Sequence, residues 1–178
     1  SGVLNPGKIV SAPKMDDRTL FRYAPDYAHD GTAPKFDWSA WPGGLHGAVE
    51  MCNNNGACRK LSGGAMCPSY RVTRTERDLT RGRSNTLRLA LTGQLGEDAF
   101  ASDEMAETMK LCVGCKACKR ECPMSIDMAK MKIEVAAARA DRNGVALRER
   151  LVAHLPHYAP FVSLLPFVPN MRDQIPGM

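Results

Sequence analysis

The sequence predicts an all-α chain with long irregular arms at both ends. Three observations carry that reading. Apolar residues recur at three- and four-residue spacing in several segments between 80 and 140, strand signals are weak throughout, and Pro and Gly crowd residues 1–45 while Pro punctuates 155–178.

Residues 1–45 hold no persistent period and are read as an extended arm. Its aromatics, Phe21, Tyr23, Tyr27, Phe36, Trp38 and Trp41, need a surface to lie on. That surface is either the domain that follows or a body absent from this chain. Residues 46–154 are read as one helical domain, opening with a Gly/Asn-rich loop over 46–68 that holds the first cysteine group. Pro68 suits a first helical position, followed by a short helix through Tyr70-Arg71-Val72-Thr73. A second helix starts near Thr80, runs through Leu87, Leu89, Ala90 and Leu91, and ends at Gly93. Ser102 caps a third, whose first acids, Asp103 and Glu104, complement the helix dipole and whose Met105, Met109 and Leu111 lead into the second cysteine group.

After Cys122-Pro123, Ser125 is the expected N-cap of the clearest helix. Ile126, Ala129, Ile133, Ala136, Ala137 and Ala140 form its apolar face, Lys130 and Glu134 pair on the other, and Asn143-Gly144 ends it. A shorter helix is expected over Ala146–His154. Five prolines then divide residues 155–178, which are read as an apolar, Pro-rich tail or linker.

Composition narrows the function. Aromatic content is 6%, and the 10 methionines, with alanine, are the expected core filler. The net charge of +5 suits a solvated basic face or an acidic partner. Arginines are not interleaved with exposed aromatics, so no nucleic acid is expected. No apolar run reaches about 18 residues, so no transmembrane segment is expected. The chain opens Ser1-Gly2-Val3-Leu4 with no signal-like stretch, and the missing initiator Met points to a piece of a longer chain.

The 7 cysteines are the outlier. An odd number leaves one unpaired in any full disulfide framework, which favours reduced, metal-binding thiols in a cytoplasmic setting. Cys112 to Pro123 reads C-x2-C-x2-C-x3-C-P. Two-residue gaps let a tight loop bring three thiolates, Cys112, Cys115 and Cys118, around one face of an iron–sulfide cube. Small Gly114 and Ala117 let backbone N–H groups approach the sulfurs. The fourth cysteine of such a run ligates the other cluster in two-cluster ferredoxins. Zinc is the competing metal, but its sites usually pair two separated C-x2-C knuckles. With Cys122 assigned elsewhere, Cys67-Pro68, the other Cys-Pro, fits the vacant role by symmetry. The expected [4Fe-4S] ligands are Cys67, Cys112, Cys115 and Cys118. That set closes a loop of more than forty residues through the metal.

Cys52, Cys58 and Cys122 remain, one ligand short of a second four-cysteine cluster. Three outcomes stay open: a three-iron or mixed-ligand cluster, a cluster completed from outside the chain, or none. His46 and Asn53-Asn54-Asn55 are nearby candidates for a non-cysteine ligand.

Three stretches carry a resemblance. They are Leu4-Asn5-Pro6-Gly7-Lys8-Ile9; the run Glu50-Met51-Cys52 through Cys58-Arg59, with Gly63 to Tyr70 and Thr80-Arg81-Gly82-Arg83; and Cys112 to Pro123 with Asp127 to Lys132. Together they resemble the C-terminal iron–sulfur region of FAD-linked oxidases of the D-lactate dehydrogenase and glycolate oxidase type, including D-2-hydroxyglutarate dehydrogenase-like members. The resemblance implies an α-helical ferredoxin-like fold, in which helices bracket two clusters and each Cys-Pro crosses to the other motif's cluster. It implies FAD in the full-length protein, with electrons passing from flavin through the cluster to an unknown acceptor. The implied partners are a flavin-oxidase domain and a downstream domain of the same polypeptide, so no catalysis is expected of this chain alone. The chain departs from the eight-cysteine version of the region in having three cysteines in its first motif.

Other features have two readings. Arg71, Arg74, Arg77, Arg81, Arg83 and Arg88 either serve an acidic partner or an anionic cluster, or are helix-surface residues paired with Glu76 and Asp78. The apolar run Ala159 to Val168 rests on a missing domain or on a membrane surface, which would place the chain peripheral to the inner membrane. Outside the electron-relay class, the alternatives are a structural or redox-sensing cluster and a zinc-stapled interaction module.

Overall fold

The structure, a computed structural model, describes residues 6–20, 27–29, 31–164 and 167. Leu4 and Asn5, Phe21 and Tyr23, and Leu165, Pro166 and Val168 of the tail lie outside the described residues, as do 169–178. The described chain is all-α, with no strand among its described residues. It divides into two units, residues 1–135 and 136–178.

In the first unit the helices are α1 (Gly44–Glu50), α2 (Pro68–Thr73), α3 (Thr80–Leu91), α4 (Asp103–Lys110) and α5 (Ala117–Glu121). α6 (Met128–Asn143) begins there and runs past Val135. Their local signals are largely those read from the sequence. Pro68 starts α2 where its missing N–H has no partner to lose. Gly93 turns left-handed (φ 71°) just past α3, and Ser102 accepts a hydrogen bond from the Met105 N–H at 3.1 Å to cap α4.

α1 was not legible. Its seven residues sit where a loop is expected, because Gly43, Gly44 and Gly47 weaken a helical pattern. Gly47 is there for close approach: a Cβ on it would meet the Pro42 carbonyl oxygen at 1.7 Å. α3 is the central element, packing on α1 and α4. The Ser84 hydroxyl ties it to the Val49 carbonyl of α1 at 2.8 Å. Met66, Leu79 and Leu87 are fully buried, each contributing about 1.5–3 kcal/mol over exposure. Met105, Met109, Met128 and Met131 are buried beside them, so methionine does fill the core.

α6 departs from its expected start and face. Ser125 is left-handed (φ 51°), in a turn closed by its N–H on the Cys122 carbonyl at 2.8 Å. The cap is Asp127, whose Oδ1 accepts the Lys130 N–H at 3.1 Å. The buried face is Met128, Ala129, Met131, Glu134 and Val135, whereas Ile133 is 49% exposed. Glu134 does not pair with Lys130. Its carboxylate accepts the backbone N–H groups of Lys35 (2.7 Å) and Phe36 (2.9 Å) and the Trp38 Nε1–H (2.8 Å). Lys130 Nζ instead donates to the Asp37 carbonyl and lies 4.1 Å from the Trp38 ring centroid. The arm's Trp38 is thus buried on the domain that follows it.

The second unit contains the remainder of α6, α7 (Leu147–Ala153) and α8 (Leu155–Val162). α8 occupies the start of the expected Pro-rich tail. Pro156 falls in its first turn, where no N–H is needed, and Pro160 sits inside it. Leu147, Val152, Phe161 and Leu164 are exposed.

Candidate metal centre

α4 delivers the second cysteine segment. The Cys112 N–H closes on the Met109 carbonyl at 3.0 Å as the helix ends, Gly114 turns left-handed, and Lys116, also left-handed, starts α5. α5 carries Cys118 into the interior, 7% exposed, while Cys115 stays exposed on the loop. Cys67 arrives from the other half of the chain as the residue before Pro68 of α2.

Cys67, Cys112, Cys115 and Cys118 line one cavity together with Met66, Ser69, Thr80, Met128 and Ala129. Cys52, Cys58 and Cys122 are not among its lining residues. All seven cysteines are free thiols. Among the described residues no three His, Cys, Asp or Glu side chains come together as the ligands of a single metal ion. Four thiols spread around an apolar-walled cavity, rather than gathered on one point, fit a polynuclear cluster better than a lone zinc ion.

Burial pushes the Cys118 thiol pKa up, the Met128 N–H at the start of α6 pulls it down, and neighbouring Cys112 and Cys67 raise it. A thiolate is costly in such a pocket until a cation or cluster compensates it. Three polar groups lie against the Cys67 sulfur: Arg83 Nη1 donates to it at 3.8 Å, Thr80 Oγ1 lies at 3.9 Å, and Ser69 Oγ, whose own proton goes to the Asp78 carbonyl, lies at 3.8 Å. Arg83 is fully buried. Its Nε donates to the Thr108 carbonyl at 3.0 Å and its Nη2 to Ser69 Oγ at 3.3 Å. Hydrogen bonds and a positive charge at sulfur are the usual protein controls on cluster potential.

A second connection joins the two halves. Glu121, inside the C-x3-C spacer, accepts the N–H groups of Ala65 (2.7 Å) and Met66 (3.1 Å), next to Cys67. Those bonds hold its carboxyl below the ordinary carboxylate range. Gly64, left-handed at φ 58°, leaves room for it, since a Cβ there would sit 2.3 Å from Glu121 Oε2. Arg71 secures the same loop through the carbonyls of Gly63, Gly64 and Met66. On the far side, Lys132 Nζ donates to the Cys112 carbonyl at 2.5 Å.

The arginine stretch therefore splits. Arg81 pairs with Glu76 at 2.5 Å and Arg77 with Asp78 at 3.5 Å, whereas Arg71 and Arg83 turn onto the Cys67 segment. Ser69, Thr80 and Glu121 were not singled out from the sequence as functional. Glu121's place between Cys118 and Cys122 was the one available signal. His46 lies buried in α1, stacked on His29 (4.5 Å) and within 3.5 Å of Glu50. Burial lowers its pKa, His29 and Arg88 add to that, and Glu50 opposes it.

Burial also pushes the Cys58 thiol up, opposed by the backbone N–H of Arg81, and neighbouring Cys52 adds to the rise. Asn54 and Asn55 are exposed, and Asn54 Oδ1 accepts from Asn85 Nδ2 at 2.8 Å.

Comparison with known proteins gives this geometry a context. Residues 48–126 match the family model described as a 4Fe-4S dicluster domain. D-2-hydroxyglutarate dehydrogenase of Escherichia coli (strain K12) is 28% identical over 198 residues, covering 92% of this chain and 19% of the relative. The enzyme of the same name from Pseudomonas putida is 26% identical, covering 94% of this chain and 20% of its own length. That of Pantoea ananatis is also 26% identical, covering 94% and 19%. The chain spans about a fifth of the length of these curated relatives. No solved structure matches it significantly. The chain thus matches a 4Fe-4S dicluster domain over residues 48–126 and is similar along nearly all its length to one part of the D-2-hydroxyglutarate dehydrogenases.

Proposed function

We propose that this chain is the electron-relay segment of a larger flavin-dependent D-2-hydroxy-acid dehydrogenase, with a [4Fe-4S] cluster held by Cys67, Cys112, Cys115 and Cys118. The observation that carries the reading is the convergence of those four thiols, from two distant segments, on one cavity. When bound, the cluster supplies a one-electron carrier between flavin and acceptor. The chain's own residues do the rest. Met66 and Met128 exclude water from the inner wall, both being buried. Arg83 directs a cationic donor at the Cys67 sulfur, with the Thr80 hydroxyl beside it and Ser69 accepting from the same guanidinium, which favours the reduced, more negative state. Exposed Cys115 and Val113 form the rim where a redox partner's surface approaches.

The flavin-oxidase domain and a downstream domain are partners within the same polypeptide, because the curated relatives are about five times longer than the stretch they share with this chain. Residues 46–154 are the iron–sulfur domain, 1–45 the arm leaving the flavin domain, and 155–178 the link onward. Among the described residues no helix is long and apolar enough to cross a membrane.

Anaerobically purified full-length protein tests the reading. It should be brown, contain iron and sulfide, and bleach with dithionite, and Cys115→Ser should lose about four irons per chain. Colour that no reductant bleaches would replace the relay by a structural or sensing cluster. Stoichiometric zinc in a colourless protein would end both.

A further inference from the structure

The two cysteine segments share one backbone. α1 ends at Glu50 and α4 at Lys110, each two residues before a cysteine. The Cys52 N–H bonds the Val49 carbonyl (3.4 Å), and the Cys112 N–H bonds that of Met109 (3.0 Å). Two residues on, Asn54 (φ 61°) and Gly114 (φ 66°) are both left-handed. After two more, Gly56 (φ 77°, ψ 9°) and Lys116 (φ 57°, ψ 11°) are left-handed again. Each begins a short helical turn, closed by the Arg59 N–H on Gly56 (2.9 Å) and by the Lys119 N–H on Lys116 (3.1 Å). Each turn buries a cysteine at the start of a longer helix, Cys58 under the Arg81 N–H of α3 and Cys118 under the Met128 N–H of α6. Left-handed backbone is uncommon in non-glycine residues, so two coincidences in one register are informative.

That register sets Cys52 on Cys112, Cys58 on Cys118, and Asn55 on Cys115. The first segment is C-x2-N-x2-C. The Asn55 side chain is already engaged within its own loop. Its Oδ1 accepts the Ala57 N–H at 2.8 Å and its Nδ2 donates to Asn53 Oδ1 at 2.5 Å. It braces by hydrogen bonds a loop that a metal bond would otherwise hold. The equivalence extends to the Cys-Pro residues. Cys67, which follows the first segment, lines the cavity of the second, and Cys122, which follows the second, is not among that cavity's lining residues. The turn after Cys122 lies toward α1, with Ser125 and Ile126 sharing a pocket with Ala48.

We propose that Cys52, Cys58 and Cys122 hold a cluster of three irons and four sulfides, with Asn55 standing where a fourth thiolate would be. The proposal rests on the reading that Cys67, Cys112, Cys115 and Cys118 hold the four-iron cluster. One thiolate per iron is the ordinary ligation, so three thiolates secure three irons. A fourth iron would face a hard amide oxygen already engaged in the loop, a poor substitute for soft sulfur. The match to a 4Fe-4S dicluster domain thus holds for the architecture, while the donor set of the first site is one thiolate short.

The test is EPR spectroscopy with iron analysis on the anaerobically purified full-length protein. The oxidised protein should show the paramagnetic signal of a three-iron cluster, which a resting four-iron cluster lacks. Asn55→Cys should abolish that signal and add about one iron per chain. Asn55→Ala should retain it. Should Asn55→Cys not fold, Cys58→Ser serves instead, losing the three-iron signal and keeping the signal of the reduced four-iron cluster. Cys115→Ser should do the reverse. If Cys115→Ser leaves iron unchanged, the four-iron reading fails. If that reading stands but the oxidised protein is EPR-silent, or the three-iron signal disappears in Cys115→Ser, the three-iron proposal is overturned.

Discussion

Arg83 is buried without any exposed surface and places Nη1 3.8 Å from the sulfur of Cys67. A guanidinium in that position is costly to bury unless it is fully bonded and faces negative charge. The Thr108 carbonyl and Ser69 hydroxyl provide the bonds, and under the proposed ligation the Cys67 thiolate provides the charge. Arg83→Gln should therefore lower the reduction potential, because the more negative reduced state loses a nearby cation. Potentiometric EPR titration reads that shift. Arg83→Ala should in addition lower stability by about 2–4 kcal/mol, from the unpaired Thr108 carbonyl and the void left behind, measurable by thermal unfolding.

Glu121 is the fastening that aligns the two halves of the site. Its carboxylate is held below its ordinary value of 4.5 by the Ala65 and Met66 N–H groups, so folding favours the ionised form. That stabilisation is fully present above the ordinary value and is lost as pH falls through the depressed one. At neutral pH, Glu121→Ala should speed iron loss to a chelator, and Glu121→Gln should do so less. Equal rates in Glu121→Ala and the parent protein would show that Cys67 is positioned without it.

Glu134 was expected on a solvated helix face and is instead the anchor of the arm. Removing it takes the shared acceptor from the part-buried N–H groups of Lys35 and Phe36 and from the buried Nε1–H of Trp38. Glu134→Ala should cost about 2–5 kcal/mol. Hydrogen exchange should accelerate at residues 35–38, while the cysteine segments keep their protection.

The contrast between Glu134 and Ser102 shows what was legible. Ser102, Pro68 and Gly93 act within a turn of their own helices, so spacing and residue type suffice to read them. The C-x2-C-x2-C-x3-C-P run likewise encodes its loop locally. Glu134 and Lys130 satisfy an i, i+4 rule, but partners almost a hundred residues away decide their fate. Glu121 escapes for the same reason, its partners lying more than fifty residues away, whereas Arg83 is legible only as one of six arginines with two roles open and α1 is hidden by its glycines. Cys67 was reached through the symmetry of two Cys-Pro pairs rather than through any contact. α8 was missed because its prolines occupy a first turn and a tolerated interior site.

Gly82 fixes the approach of α3 to the short turn over Glu76–Asp78. A Cβ there would meet the Glu76 carbonyl oxygen at 2.0 Å and the Arg77 Cα at 3.2 Å, both backbone atoms that cannot swing aside. Gly82→Ala should destabilise the protein by about 1–3 kcal/mol and displace Thr80 and Arg83 from Cys67. Thermal unfolding gives the first effect and a change in the four-iron EPR line shape the second.

The central claim is that Cys67 and the Cys112–Cys118 loop hold one cluster across a gap of more than forty residues. Iron and sulfide analysis with EPR of the dithionite-reduced protein, comparing Cys67→Ser with Cys122→Ser, tests it most directly. Cys67→Ser should lose or strongly alter the four-iron signal, and Cys122→Ser should leave it intact. An unchanged signal in Cys67→Ser, with its loss in Cys122→Ser, would contradict the account.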